Sequence, residues 1–123
     1  MQKNKILVIE DTLSLQEELK EILTFEGYNI YTANNGQEGI DTAINIIPDL
    51  ILCDVMMPFK DGFQVLHELQ HDVILKDIPF VFLTSMTAKE NVKKAMKKGA
   101  TDYITKPIDI DLLIVCIKKV ILG

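Results

Sequence analysis

Five short apolar runs alternate with helical patterns along the chain: Ile6–Ile9, Asn29–Ala33, Leu50–Cys53, Phe80–Leu83 and the weaker Asp102–Thr105. Such runs have the length and residue types of strands buried on both faces. Between them the apolar residues switch to helical spacing. Leu15, Leu19, Ile22 and Leu23 recur at i, i+4, i+7 and i+8, and Ile40, Ala43, Ile44 and Ile47 at i, i+3, i+4 and i+7. Leu66, Leu69 and Val73 make a third stripe, Val92, Ala95, Met96 and Gly99 a fourth, and Leu113, Cys116, Ile117 and Val120 a fifth. Each predicts one helix face turned to a core. Gly27, Gly62 and Gly99 punctuate the pattern, with Gly99 where a left-handed C-cap is expected, and Asp109 is placed to cap the last helix. Strands alternating with helices imply right-handed crossovers and a parallel sheet covered on both faces. The predicted fold class is α/β, a doubly wound (βα)₅ unit.

The 123 residues suit one domain spanning 1–123, with no repeat, linker or low-complexity segment. A hydrophobic content of 48% with 25% charged residues reads as soluble and globular. No apolar stretch approaches the roughly 20 residues of a membrane span, and Met1 to Lys5 lacks a signal peptide's apolar region. The net charge of −5 argues against direct contact with nucleic acid. Cys53, in a strand, and Cys116, in a helix, read as reduced core thiols, which places the chain in the cytoplasm. All 13 basic residues are Lys, so no guanidinium clamp is available.

In open α/β sheets, ligands bind beyond the carboxyl ends of the strands. Those ends read Glu10-Asp11, Asp54, Thr84-Ser85 and Lys106-Pro107, while the second strand contributes Asn34. Two neighbouring strands that stop on carboxylates would bring Glu10, Asp11 and Asp54 to one point. Unneutralised like charges that close cost free energy, so the cluster calls for a cation, and hard oxygen donors suit Mg²⁺. A metal-bound Asp with room for a phosphate is a candidate covalent acceptor, because carboxylates form acyl phosphates. The Thr84 hydroxyl could donate to a phosphoryl oxygen and Lys106 could supply a mobile cation, both needs of phosphoryl transfer. Singly, Thr84 reads as an ordinary strand residue and Lys106 as a surface lysine. Four of five strands ending in complementary groups is harder to dismiss.

With the stretches Ile6 to Asp11, Asp49 to Pro58, Phe82 to Ser85 and Gly99 to Pro107, the chain resembles a receiver domain of the two-component response-regulator family, chemotaxis-regulator-like, over essentially its whole length. The resemblance implies a flavodoxin-like sheet of order 2-1-3-4-5. It implies a phosphorylation-dependent signalling switch in which Asp54 takes a phosphoryl group from a sensor histidine kinase or phosphotransfer protein. It implies Mg²⁺ on Asp11, Asp54 and the Met56 backbone carbonyl, with Glu10 acting partly through water; many members have Asp where this chain has Glu10. Thr84 and Tyr103 would be the switch residues, Lys106 the phosphoryl-facing cation, and Lys106–Pro107 a cis bond. Met56 and Met86 would flank the phosphoryl group and tune its hydrolysis, and Leu13 and Ile108 would lie where the family docks its kinase. Such a chain is a phosphoacceptor that assists its own phosphotransfer and dephosphorylation, not a free-standing enzyme.

Other readings are weaker. His67-Glu68-Leu69-Gln70-His71 matches the H-E-x-x-H zinc-protease pattern, but no third ligand is recognisable and both histidines fall opposite the apolar stripe. A haloacid-type phosphatase would carry an acid/base Asp where Met56 stands, and an FMN binder would not place Glu10-Asp11 beside a phosphate. A pseudo-receiver that acts purely as an interaction module is the alternative from another class. The lysines at 89, 93, 94, 97 and 98 read as a solvated helix face for solubility and partner docking. Leu112, Val115 and Leu122 project away from the last helix's core stripe, as the start of a linker or as part of a homodimer surface of the fourth helix, fifth strand and fifth helix.

Overall fold

The apolar runs become strands in the computed structural model, which describes residues 3–85 and 89–123. The strands are β1 (Lys5–Ile9), β2 (Asn29–Ala33), β3 (Leu50–Asp54), β4 (Phe80–Thr84) and β5 (Asp102–Thr105). The helices α1 (Leu13–Phe25), α2 (Gly36–Ile46), α3 (Gly62–Gln70), α4 (Lys89–Lys97) and α5 (Ile110–Leu122) follow them in alternation. All pairings are parallel and the sheet order is β2-β1-β3-β4-β5, the doubly wound arrangement. Alternate strand residues feed two cores. Leu7, Ile9, Ile51, Cys53, Phe80 and Phe82 pack with Ala43 of α2, Val65 of α3 and Ala95 of α4, whereas Ile6, Val8, Leu50, Leu52, Val81 and Leu83 pack with Leu19 of α1 and Leu113 of α5. Each fully buried aliphatic or aromatic side chain contributes roughly 1.5–3 kcal/mol. No described helix is long and apolar enough to cross a membrane.

Local chemistry sets the helix ends. Asn35 accepts from the Glu38 amide, Asp61 and Gln64 form a reciprocal capping box, and Asp109 accepts from the Leu112 amide. Gly99 follows α4 at φ +104, a conformation that suits a residue without Cβ.

Three expected stripes are corrected. α2 buries Gly36, Gly39, Ile40 and Ala43, leaving Ile44 and Ile47 exposed. Ile47 is the left-handed C-cap at φ 48, so it has left the helical face altogether. Val73 is 83% exposed because α3 ends at Gln70, with His71 as its C-cap; Leu75 fills the core instead. In α4, Ala95 is buried and Met96 points outward. In α5 the division holds, with Leu113, Cys116 and Ile117 buried and Leu112, Val115 and Leu122 exposed.

Candidate functional site

β1 and β3 run side by side with Ile9 opposite Cys53, so the residues just beyond them leave the sheet together. Glu10 is fully buried and Asp54 nearly so, while Asp11 is exposed. Carboxylate oxygens of the three lie within 4.8 Å of one another. Lys106 enters from the other side. Its backbone amide donates to the Thr84 carbonyl at 2.8 Å, which fixes its start at the end of β4. From there its ammonium donates to Glu10 Oε1 at 2.8 Å and Asp54 Oδ2 at 3.1 Å. The other oxygens of this pair meet backbone amides, Glu10 Oε2 accepting from Thr12 at 3.0 Å and Asp54 Oδ1 from Met56 at 3.3 Å.

The electrostatics follow. Burial works against the charge of Lys106, but its bond to Glu10 and the Asp54 charge outweigh that and raise its pKa. Desolvation and the adjoining Glu10 carboxyl push Asp11 up. One ammonium among three carboxylates leaves two negative charges uncompensated. A donor set of closely spaced carboxylates with an open, exposed member fits a hard divalent cation such as Mg²⁺.

Thr84 is fully buried at the end of β4, and Tyr103, on β5, is half-buried opposite Phe82. Burial raises the Tyr103 hydroxyl, and a hydrogen bond with Thr84 partly offsets it. The Lys106–Pro107 bond is cis. Met56 is 62% exposed on the loop after β3, beside a cleft of about 540 Å³ lined also by Val55, Met57, Asp61, Phe63 and Lys94. Met86 lies outside the described residues. Gly62 holds that loop against the site. Its amide donates to the Val55 carbonyl at 2.8 Å, and a Cβ there would overlap the Asp54 carbonyl oxygen.

Gln16 escaped the sequence reading. It is 6% exposed, and its amide group donates to the carbonyls of Glu10 (3.1 Å) and Ala33 (3.2 Å) and to Asn34 Oδ1 (2.9 Å). It therefore pins the backbone of the acid pair to the end of β2. The signal was present, since Gln16, Leu19 and Leu23 share the i, i+3, i+7 spacing of one face.

The model of the response regulator receiver domain matches residues 6–118. This chain belongs to that family. The receiver domain is 31% identical over 119 residues to the protein PilH of Pseudomonas aeruginosa, covering 97% of this chain and 98% of that one. It is 33% identical over 117 residues to the probable transcriptional regulator ycf29 of Pyropia yezoensis, covering 95% of this chain and 53% of that protein. The chemotaxis protein CheY4 of Vibrio cholerae superposes with a TM-score of 0.91 at 28% identity, over 97% of this chain and 99% of that one. The chain spans about half or less of the length of most curated relatives it matches. As a class, these receiver domains are phosphoacceptor modules that switch on phosphorylation and interact with histidine kinases or phosphotransfer proteins. They typically bind Mg²⁺ at an acidic pocket, and here Glu10, Asp11 and Asp54 form such a cluster.

Proposed function

We propose that this receiver domain, one unit over residues 1–123, takes a phosphoryl group on Asp54 from a phosphohistidine and changes its associations in response. The observation that carries the reading is the position of Asp54: at the end of the central strand, 5% exposed, within reach of Lys106 and two further carboxylates. An Asp54 oxygen attacks phosphorus while the bond from phosphorus to the donor imidazole breaks, leaving an acyl phosphate. Asp11, Asp54 and the Met56 carbonyl, with Glu10 behind them, would hold Mg²⁺. When bound, that ion neutralises the phosphoryl oxygens. Lys106 supplies a second positive charge, and the Thr84 hydroxyl a donor. A phosphate of about −1.5 to −2 charge would draw Thr84 and Lys106 toward it and repack Tyr103 on β5, biasing a two-state element. Exposed Leu13, two residues after Asp11, and half-buried Ile108, two residues after Lys106, are candidate kinase contacts. Leu112, Val115 and Leu122 suit self-association through the surface of α4, β5 and α5, and the lysine face of α4 suits solubility and the docking of other partners. The net charge of −5 supports protein partners over direct nucleic-acid contact, and the two free buried thiols support a cytoplasmic setting.

Incubation with acetyl phosphate and Mg²⁺, read by intact-mass spectrometry, tests the central point. Wild type should gain one phosphoryl group and Asp54→Asn none. Equal labelling of the variant would refute the assignment.

A further inference from the structure

The paired histidines of α3 are unused by the phosphoryl site. His67 and His71 are both exposed, four residues apart on one helical edge, and their ring centroids lie 4.5 Å apart. His71 Nδ1 lies 2.8 Å from the His67 carbonyl oxygen. A carbonyl only accepts, so Nδ1 carries the proton and donates, which leaves the Nε2 lone pair free. That is the arrangement in which imidazoles ligate metals: one nitrogen donating to a carbonyl, the other turned to the ion.

We propose that His67 and His71 form a two-imidazole chelate for a transition-metal cation of the Zn²⁺, Ni²⁺ and Cu²⁺ class, with water completing the coordination. Nearby acids are occupied: Glu68 pairs with Lys60 at 2.5 Å, and Asp72 caps the amides of Ile74 and Leu75 at 2.8 and 3.0 Å. Lys94 and Lys98 line the cleft beside His67 and oppose any cation held by charge alone. This selects an ion bound by imidazole donors over a hard ion such as Mg²⁺. The acidic cluster has the opposite preference, so the two sites are separable by choice of metal. A chelate across the last turn of α3 would also tie down the segment that Gln70 joins to α4, through its 2.6 Å bond to the Lys98 carbonyl.

The test uses Ni²⁺ as the probe, with the whole chain held in excess Mg²⁺. Calorimetry should give one Ni²⁺ per chain, and paramagnetic broadening in amide spectra should centre on residues 66–73. His67→Gln and His71→Gln should each weaken Ni²⁺ binding at least about tenfold, as expected when a chelate loses a ligand. Circular dichroism confirms that these surface variants fold, and Asp54→Asn should bind Ni²⁺ like wild type. Unchanged affinity in the histidine variants, loss of binding in Asp54→Asn, or broadening centred on residues 10, 11 and 54 would overturn the proposal. One Ni²⁺ per two chains would overturn the single-chain chelate.

Discussion

Without Lys106, Glu10 would keep a carboxylate with no exposed surface and no ammonium beside it, and Asp54 would be little better placed. Removing one partner of a buried ion pair is costly because the remaining charge stays buried. Lys106→Met should therefore lose on the order of 3 kcal/mol in urea unfolding with chelator present. Added Mg²⁺ should restore part of it; a variant as stable as wild type in chelator would contradict the picture. Gln16 poses the converse case, a neutral side chain that serves three acceptors. Gln16→Leu keeps the volume but takes the side-chain donor from the Glu10 carbonyl, while the Ala33 carbonyl keeps its bond from the Glu10 amide, at a cost of about 1–3 kcal/mol in the same assay. Met56 bears on lifetime. A thioether is a weak acceptor and orients an attacking water poorly, so Met56→Asn should shorten the life of phosphorylated Asp54 several-fold in a pulse-chase decay.

Among elements, α3 has the tightest fit to the site, through Gly62. Gly62→Ala pushes a methyl into the Asp54 carbonyl and to 2.9 Å from Val55 Cα, backbone that cannot step aside without moving Asp54. Gly27 has open space around its missing Cβ but sits at φ +100, whereas Gly62 has no such positive φ. Gly62→Ala should cost stability and slow phosphorylation together, and Gly27→Ala stability alone, by about 1 kcal/mol for backbone strain; labelling kinetics beside unfolding curves separate them. The elements themselves were largely legible: β1, β3 and β4, buried almost throughout, spell themselves as apolar runs and each extends the expected run by one residue, while the edge strands β2 and β5 match to the residue. The helix stripes were less so. Ile44, Ile47 and Val73 satisfy helical spacing yet face solvent, since periodicity says nothing about where a helix stops or which of two apolar faces lies nearer the sheet. The site's residue types were readable from the strand ends. The Lys106 bond to Glu10 and the polar anchor of Gln16 were not, because both depend on reach between elements distant in sequence.

Across the whole molecule, the buried thiols and the raised amine set an alkaline limit. Burial pushes Cys53 well above its usual range, and burial with Asp102 beside it pushes Cys116 up to about 12. A thiol held protonated only by folding contributes stability that is complete below its ordinary pKa of 9.0 and is lost as pH rises toward the folded value. Lys106 acts the same way from its ordinary 10.5 upward. Unfolding free energy should thus fall progressively above about pH 9, and native protein at pH 8 should resist iodoacetamide at both cysteines; rapid alkylation would show that they are not enclosed. Lys106 meets Glu10 across 96 residues and Asp54 across 52. During synthesis the acids emerge long before the ammonium that balances them, so a nascent chain lacking β5 has no lysine of this site to offset its carboxylates. Fragments ending before residue 106 should accordingly be poor folders in low-salt, metal-free buffer, and the proposed phosphoryl-accepting centre can come into being only when the last strand has docked.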